Sequence, residues 1–157
     1  MNWVLFWLLL HILAAIIAFG PIFVFPLVGT LAAKNPRHIA LAVEINHAIE
    51  SRLVLPVGST MLISGAGLIW SANINFFTTK YLIVAVVLYL FALGVGSAVL
   101  LPNTQKMVTL VEGEGPPDLA RLMPLIKSNQ IFGGILTVAF LVIVFLMIIQ
   151  PGGVTLR

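Results

Sequence analysis

The run LLLHILAAIIAFGPIF, residues 8–23, is hydrocarbon apart from one imidazole, His11. An ionisable side chain in such a run is costly in a bilayer and by default points to a functional site. Imidazole there has three uses: ligating haem iron, copper or zinc, passing a proton, or making one neutral hydrogen bond. Partners for the hydrogen bond are Ser59, Ser64 and Tyr89. With the next helix running back antiparallel from a turn near Asn35, Met61 comes near the depth of His11. With Met147 on the fourth run also in range, a His/Met pair, His11/Met61 first, is a geometrically conceivable ligand set for a b-type haem or copper, although methionine usually just fills gaps in a core. His47 is excluded as the second ligand, because it lies roughly 18 Å from His11 in depth at 1.5 Å per residue.

A second group falls in the first long connection. EINH places Glu44 and His47 at i and i+3, the spacing of the half-motif in di-iron bundles. A full site needs a second such motif. A shift of 77 residues, which lays the first apolar run on the third, puts Arg121 and Pro124 at the matching positions. That removes the di-iron reading and leaves Glu44 and His47, with Glu50, as a weak metal site set against a solvated polar face. No G-x-S-x-G, phosphate-binding lysine loop, His-Glu-x-x-His or dinucleotide glycine pattern occurs, and no catalytic residue is assigned. The five acidic residues all lie in the long connections, so a pump or transporter has little support.

The elements that must position these residues follow from composition. Of 157 residues, 61% are hydrophobic and only 8% charged, against about 25% charged in a soluble domain. Four apolar runs, about 3–25, 53–72, 81–101 and 131–149, are long enough to cross a bilayer. The first run lacks a basic leader and a small-residue cleavage site, so it is expected to be a retained span and not a signal peptide. With no cysteine, disulfides and thiolate metal sites are excluded. The expected fold is an all-α integral membrane four-helix bundle, a single transmembrane domain over 1–157. Pro21, Pro26 and Pro56 should kink or interrupt its helices.

The chain can be read as two duplicated helical hairpins. Residues 36–52 and 102–130 should form helical extensions, the second broken at GEGPP, residues 113–117. In the first extension Ile39, Leu41, Ala42, Ile45, Ala48 and Ile49 mark an apolar face. Small residues mark helix contacts in lipid: Ala14, Ala15 and Ala18 beside His11, Gly58, Ser59, Ser64, Gly65 and Gly67, Gly94, Gly96, Ser97 and Ala98, and Gly133 with Gly134. Lys34, Arg37, Arg52, Lys106, Arg121 and Lys127 lie in the long connections, with Lys80 and Arg157 opposite. This bias places the long connections in the cytoplasm and both termini outside.

LLLHILAAIIAFGPIFVFPLVGTLA, then RLVLPVGSTMLISGAGLIW, then LLPNTQKM resemble the predicted integral membrane family catalogued as DUF2269, over most of the chain. More distantly, a histidine early in span one followed by small residues resembles the CopD copper-resistance membrane domain and the HemJ family of haem-dependent protoporphyrinogen oxidases. That likeness implies a metal or haem ligand at His11 alone. Two functions are thus expected as alternatives. The first is a non-catalytic accessory subunit of a larger respiratory or photosynthetic electron-transfer complex in the cell membrane. The second is a b-type haem or copper protein using His11. The expected partners are the lipid bilayer and either such subunits or further copies of the chain, with no nucleic acid.

Overall fold

The computed structural model describes residues 2–112 and 118–151. The break expected at 113–117 and the tail residue Arg157 lie outside them. All regular structure among the described residues is helical: α1 (Trp3–Phe19), α2 (Val24–Ala33), α3 (Ile39–Ile49), α4 (Leu55–Ser71), α5 (Lys80–Val95), α6 (Leu101–Val111) and α7 (Leu119–Ile149). They join into four near-continuous rods, Trp3–Ala32, Ile39–Ser71, Lys80–Val111 and Leu119–Ile149. Each is about 45–50 Å long at 1.5 Å per residue, well beyond the roughly 30 Å of a hydrocarbon core. The rods therefore extend past the bilayer, and six of the basic side chains sit at the end where α3, α6 and the start of α7 meet.

Local chemistry sets the breaks and ends. Asn2 caps α1 by accepting from the Val4 N–H, and Asp118 caps α7 by accepting from the Ala120 and Arg121 N–H groups, supplying acceptors that a first turn otherwise lacks. Pro21 falls in a 3-10 turn over Gly20–Phe23 that separates α1 from α2. Two five-residue π turns, Glu50–Val54 and Gly96–Leu100, each run directly into a Leu-Pro pair, Leu55-Pro56 and Leu101-Pro102. A proline has no N–H to donate and its ring crowds the carbonyl four residues back. The wider turn accommodates both effects, with Leu55 donating to Glu50 and Leu101 to Gly96. Asn73, with φ of 51°, reverses the chain after α4 in the left-handed region, which asparagine tolerates better than most residues.

Helix α1 packs chiefly on α4, α5 on α7, and α3 on α6. Two hairpins thus lie side by side, fastened at one end by α3 and α6, with little direct contact between α4 and α5. Phe19 bridges the hairpins, stacking on Phe140 at 4.3 Å and meeting the edge of Tyr89 at 6.3 Å. The tightest core is at the α3/α6 end, where Val43, Met107 and the fully buried Leu122 pack together. Through the rest of the bundle large apolar side chains point outward, as lipid-facing residues do.

The outward bias splits two of the expected sets. Of the apolar stripe on α3, Leu41 and Ile45 are exposed, but Ala42 is buried and Ile39 packs against the Val43, Met107 and Leu122 core. The stripe is therefore split, its members Ile39 and Ala42 turned inward and Leu41 and Ile45 outward. The small residues divide likewise. Ala18, Gly58, Ser64 and Gly96 are buried, but Gly94, Ser97, Ala98 and Gly134 are exposed. Exposed Ser59 and Ser97 return their hydroxyls to carbonyls of their own helices, which satisfies them without a neighbour.

Candidate functional site

Trp7, His11, Ala14, Ala15 and Ala18 form the inner face of α1. Against it α4 presents Met61, Ser64, Gly65 and Gly67 in antiparallel register. The His11 Nδ1 lies 3.1 Å from the Ser64 hydroxyl, which in turn donates to the Met61 carbonyl at 3.2 Å. A serine has one proton to give. With that proton on the Met61 carbonyl, Nδ1–H is the donor to Ser64, and Nε2 keeps its lone pair. The glycine at 65 lets the ring approach: a Cβ there would stand 3.4 Å from His11 Cε1.

Of the three partners open to His11, the fold selects Ser64 and not Ser59 or Tyr89. Tyr89 instead donates to the Gly58 carbonyl. The turns between α2 and α4, with the π turn, take up more residues than a simple reversal at Asn35, so the register slides towards the far end of α4. Met61 is buried one turn from Ser64 on the same face of α4. One buried polar atom sits near this contact without a partner, the Trp7 indole Nε1. It lies one turn from His11, where the ring is laid flat over Gly67.

The His11–Ser64 bond ties span one to span two, and its contribution can be predicted. Interhelical hydrogen bonds within a bilayer average about 0.6 kcal/mol. His11→Ala and Ser64→Ala should each lower stability by about that amount to about 2 kcal/mol, and the double variant should lose little more than the worse single one. Unfolding midpoints of the four proteins in mixed micelles check this; simple additivity would mean that the two side chains do not interact.

The second polar cluster crosses between the hairpins. Glu50, which begins the first π turn, is only 6% exposed. Its Oε2 lies 2.8 Å from the Thr104 hydroxyl on α6, and the His47 Nδ1 is 3.3 Å from that same hydroxyl. Thr104 also reaches the Leu101 carbonyl at 2.9 Å. Close by, the Asn103 amide donates to Ser128 Oγ at 3.1 Å and Asn129 Oδ1 at 2.9 Å, tying α6 to α7. Glu44, by contrast, is exposed. Among the described residues no three His, Cys, Asp or Glu side chains gather as a metal site, so EINH splits into a solvent-facing carboxylate and an inward imidazole. Reading from the sequence missed Thr104 altogether and put Glu50 on a solvated face. The one available signal was spacing: Val43, His47 and Glu50 recur at i, i+4 and i+7, a single helix face.

Between the hairpins lies a cleft of about 100 Å³, walled by all four rods and mostly apolar; Glu50 stands at one end and Tyr89 with Gly58 further along. These features define the class: a multi-pass integral membrane protein, a four-helix bundle held by a few interhelical polar contacts. The chain belongs to the DUF2269 family of predicted integral membrane proteins, whose profile matches residues 5–151. No curated protein and no solved structure matches it significantly.

Proposed function

We propose that this protein is a non-catalytic accessory subunit of a larger respiratory or photosynthetic electron-transfer complex in the cell membrane, with both termini on the outer side. The observation that carries this reading is the His11–Ser64 contact. The one His, Lys, Arg, Asp or Glu side chain within the apolar runs is engaged in joining two helices, which is structural work. The basic residues at the α3/α6 end support the orientation through the positive-inside bias. The test is purification at native abundance in mild detergent. Fixed stoichiometry with a redox complex supports the reading, and isolation as a lone monomer overturns it.

A second reading has its own observation. Metal-bound histidines characteristically donate their other ring N–H to a nearby acceptor, and Ser64 occupies that role towards His11 Nδ1, leaving Nε2 able to ligate. Buried Met61 is the candidate second ligand, a donor pair that suits haem iron or copper. On this reading the purified protein shows a Soret band with sharp reduced α and β bands, or bound copper, and His11→Ala loses either. A featureless spectrum with no metal leaves the accessory-subunit reading alone.

A further inference from the structure

Glu50 is a carboxyl withdrawn from water at the head of an apolar cleft, and among the described residues no lysine or arginine pairs with it. Counting about twenty residues back from Ser71, one hydrocarbon thickness, places it at the boundary between the membrane core and the protruding α3/α6 end. Among the described residues the only hydrogen bond to its side chain is through Thr104, whose oxygen also meets half-buried His47. We propose that Glu50 is a proton-binding site, and that Thr104 and His47 are the path by which its proton exchanges with water at the α3/α6 end. This holds whether or not the bundle works inside a larger complex.

The geometry serves both protonation states. With Glu50 ionised, the Thr104 hydroxyl donates to Oε2 and accepts from His47 Nδ1–H. In the transfer, His47 imidazolium gives its Nδ1 proton to Thr104 Oγ1 while the hydroxyl proton of Thr104 passes to Glu50 Oε2. The ion pair becomes a neutral imidazole and a neutral acid, with no net proton gained or lost. The hydroxyl then points back at Nδ1 or turns to the Leu101 carbonyl, already 2.9 Å away, and accepts from the new acid. A hydroxyl with one proton and two lone pairs is suited to this, since it can accept from one neighbour while donating to the other in both protonation states.

Other ionisable groups around the site stand aside from the path. On the Glu50 rod, Glu44 and Arg52 are exposed, as is Lys106 on α6. Arg121 on α7 pairs with Asp118. From α5 the Tyr89 hydroxyl is committed to Gly58, while α1, α2 and α7 line the cleft with apolar residues only.

Infrared difference spectroscopy on the full chain in lipid vesicles tests the proposal. Between about pH 5 and about pH 9, a carboxylic C=O band should appear on acidification and vanish in Glu50→Gln. Thr104→Val should keep the band but slow its shift on transfer to D₂O by roughly tenfold or more, and Thr104→Ser should restore the rate. His47→Phe should slow it likewise. A titrating band absent from wild type, or one unaffected by Glu50→Gln, overturns the proton site. Equal exchange in Thr104→Val and wild type overturns the path. Helical content by circular dichroism, with the recovery in Thr104→Ser, separates these outcomes from misfolding.

Discussion

Leu122→Ala is expected to lower the stability of the bundle by about 2–5 kcal/mol, the range for emptying a fully buried leucine position. Leu122 has no exposed surface and packs against Val43 and Met107, with Ile39, Val108 and Leu125 around them. The position matters as much as the burial. Deep in the bilayer a leucine exchanges one hydrocarbon neighbour for another on association, and the hydrophobic effect gives almost nothing. At the protruding α3/α6 end the alternative is water, so the full transfer term applies, with a cavity term added on truncation. Leu119, one turn earlier in the same helix and 50% exposed, is the control, and Leu119→Ala should stay within about 0.5 kcal/mol of wild type. Detergent-induced unfolding followed by tryptophan fluorescence compares the two. Equal losses would mean that the α3, α6 and α7 ends do not form a packed core.

That core was only half legible in the sequence. The four rods are written in the length of the apolar runs, and the inner face of α1 in the alanines that share it with His11. What periodicity could not supply is which members of an apolar stripe turn inward where a helix passes from lipid to water. Leu41 and Ile45 look like core residues and face outward, while Val43 is buried. The π turns hide for a related reason. Each adds a residue to one turn, rotating everything beyond it, so that Glu50 faces Thr104 and His11 faces Ser64. The two Leu-Pro pairs are their trace in the sequence, but a proline signals a disturbance without saying whether the helix will bend, break or widen. Thr104 was invisible because its importance lies entirely in its neighbours on another hairpin.

The second large effect is expected at Gly67. An alanine Cβ there would fall 2.4 Å from Trp7 Cδ2 and 2.6 Å from Cε2 and Cε3, and these are rigid ring atoms that cannot swing aside like the end of a long chain. Gly67→Ala should therefore lower stability by about 1–3 kcal/mol, as overpacking does, by pushing α1 away from α4. The same displacement would stretch the His11–Ser64 bond one turn along, so the cost of Ser64→Ala should shrink in the Gly67→Ala background. Gly134 is the contrast. Nothing lies within 4 Å of a Cβ at that position, and alanine is the better helix former by about 1 kcal/mol, so Gly134→Ala should be neutral or stabilising. Trp7→Ala supplies the decisive comparison: with the ring gone, Gly67→Ala should become nearly harmless, giving a coupling energy of about 1–3 kcal/mol in the double-mutant cycle. If the penalty of Gly67→Ala persists without Trp7, the close approach of α1 and α4 is not set by this pair, and the placement of His11 must depend on contacts elsewhere along the hairpin.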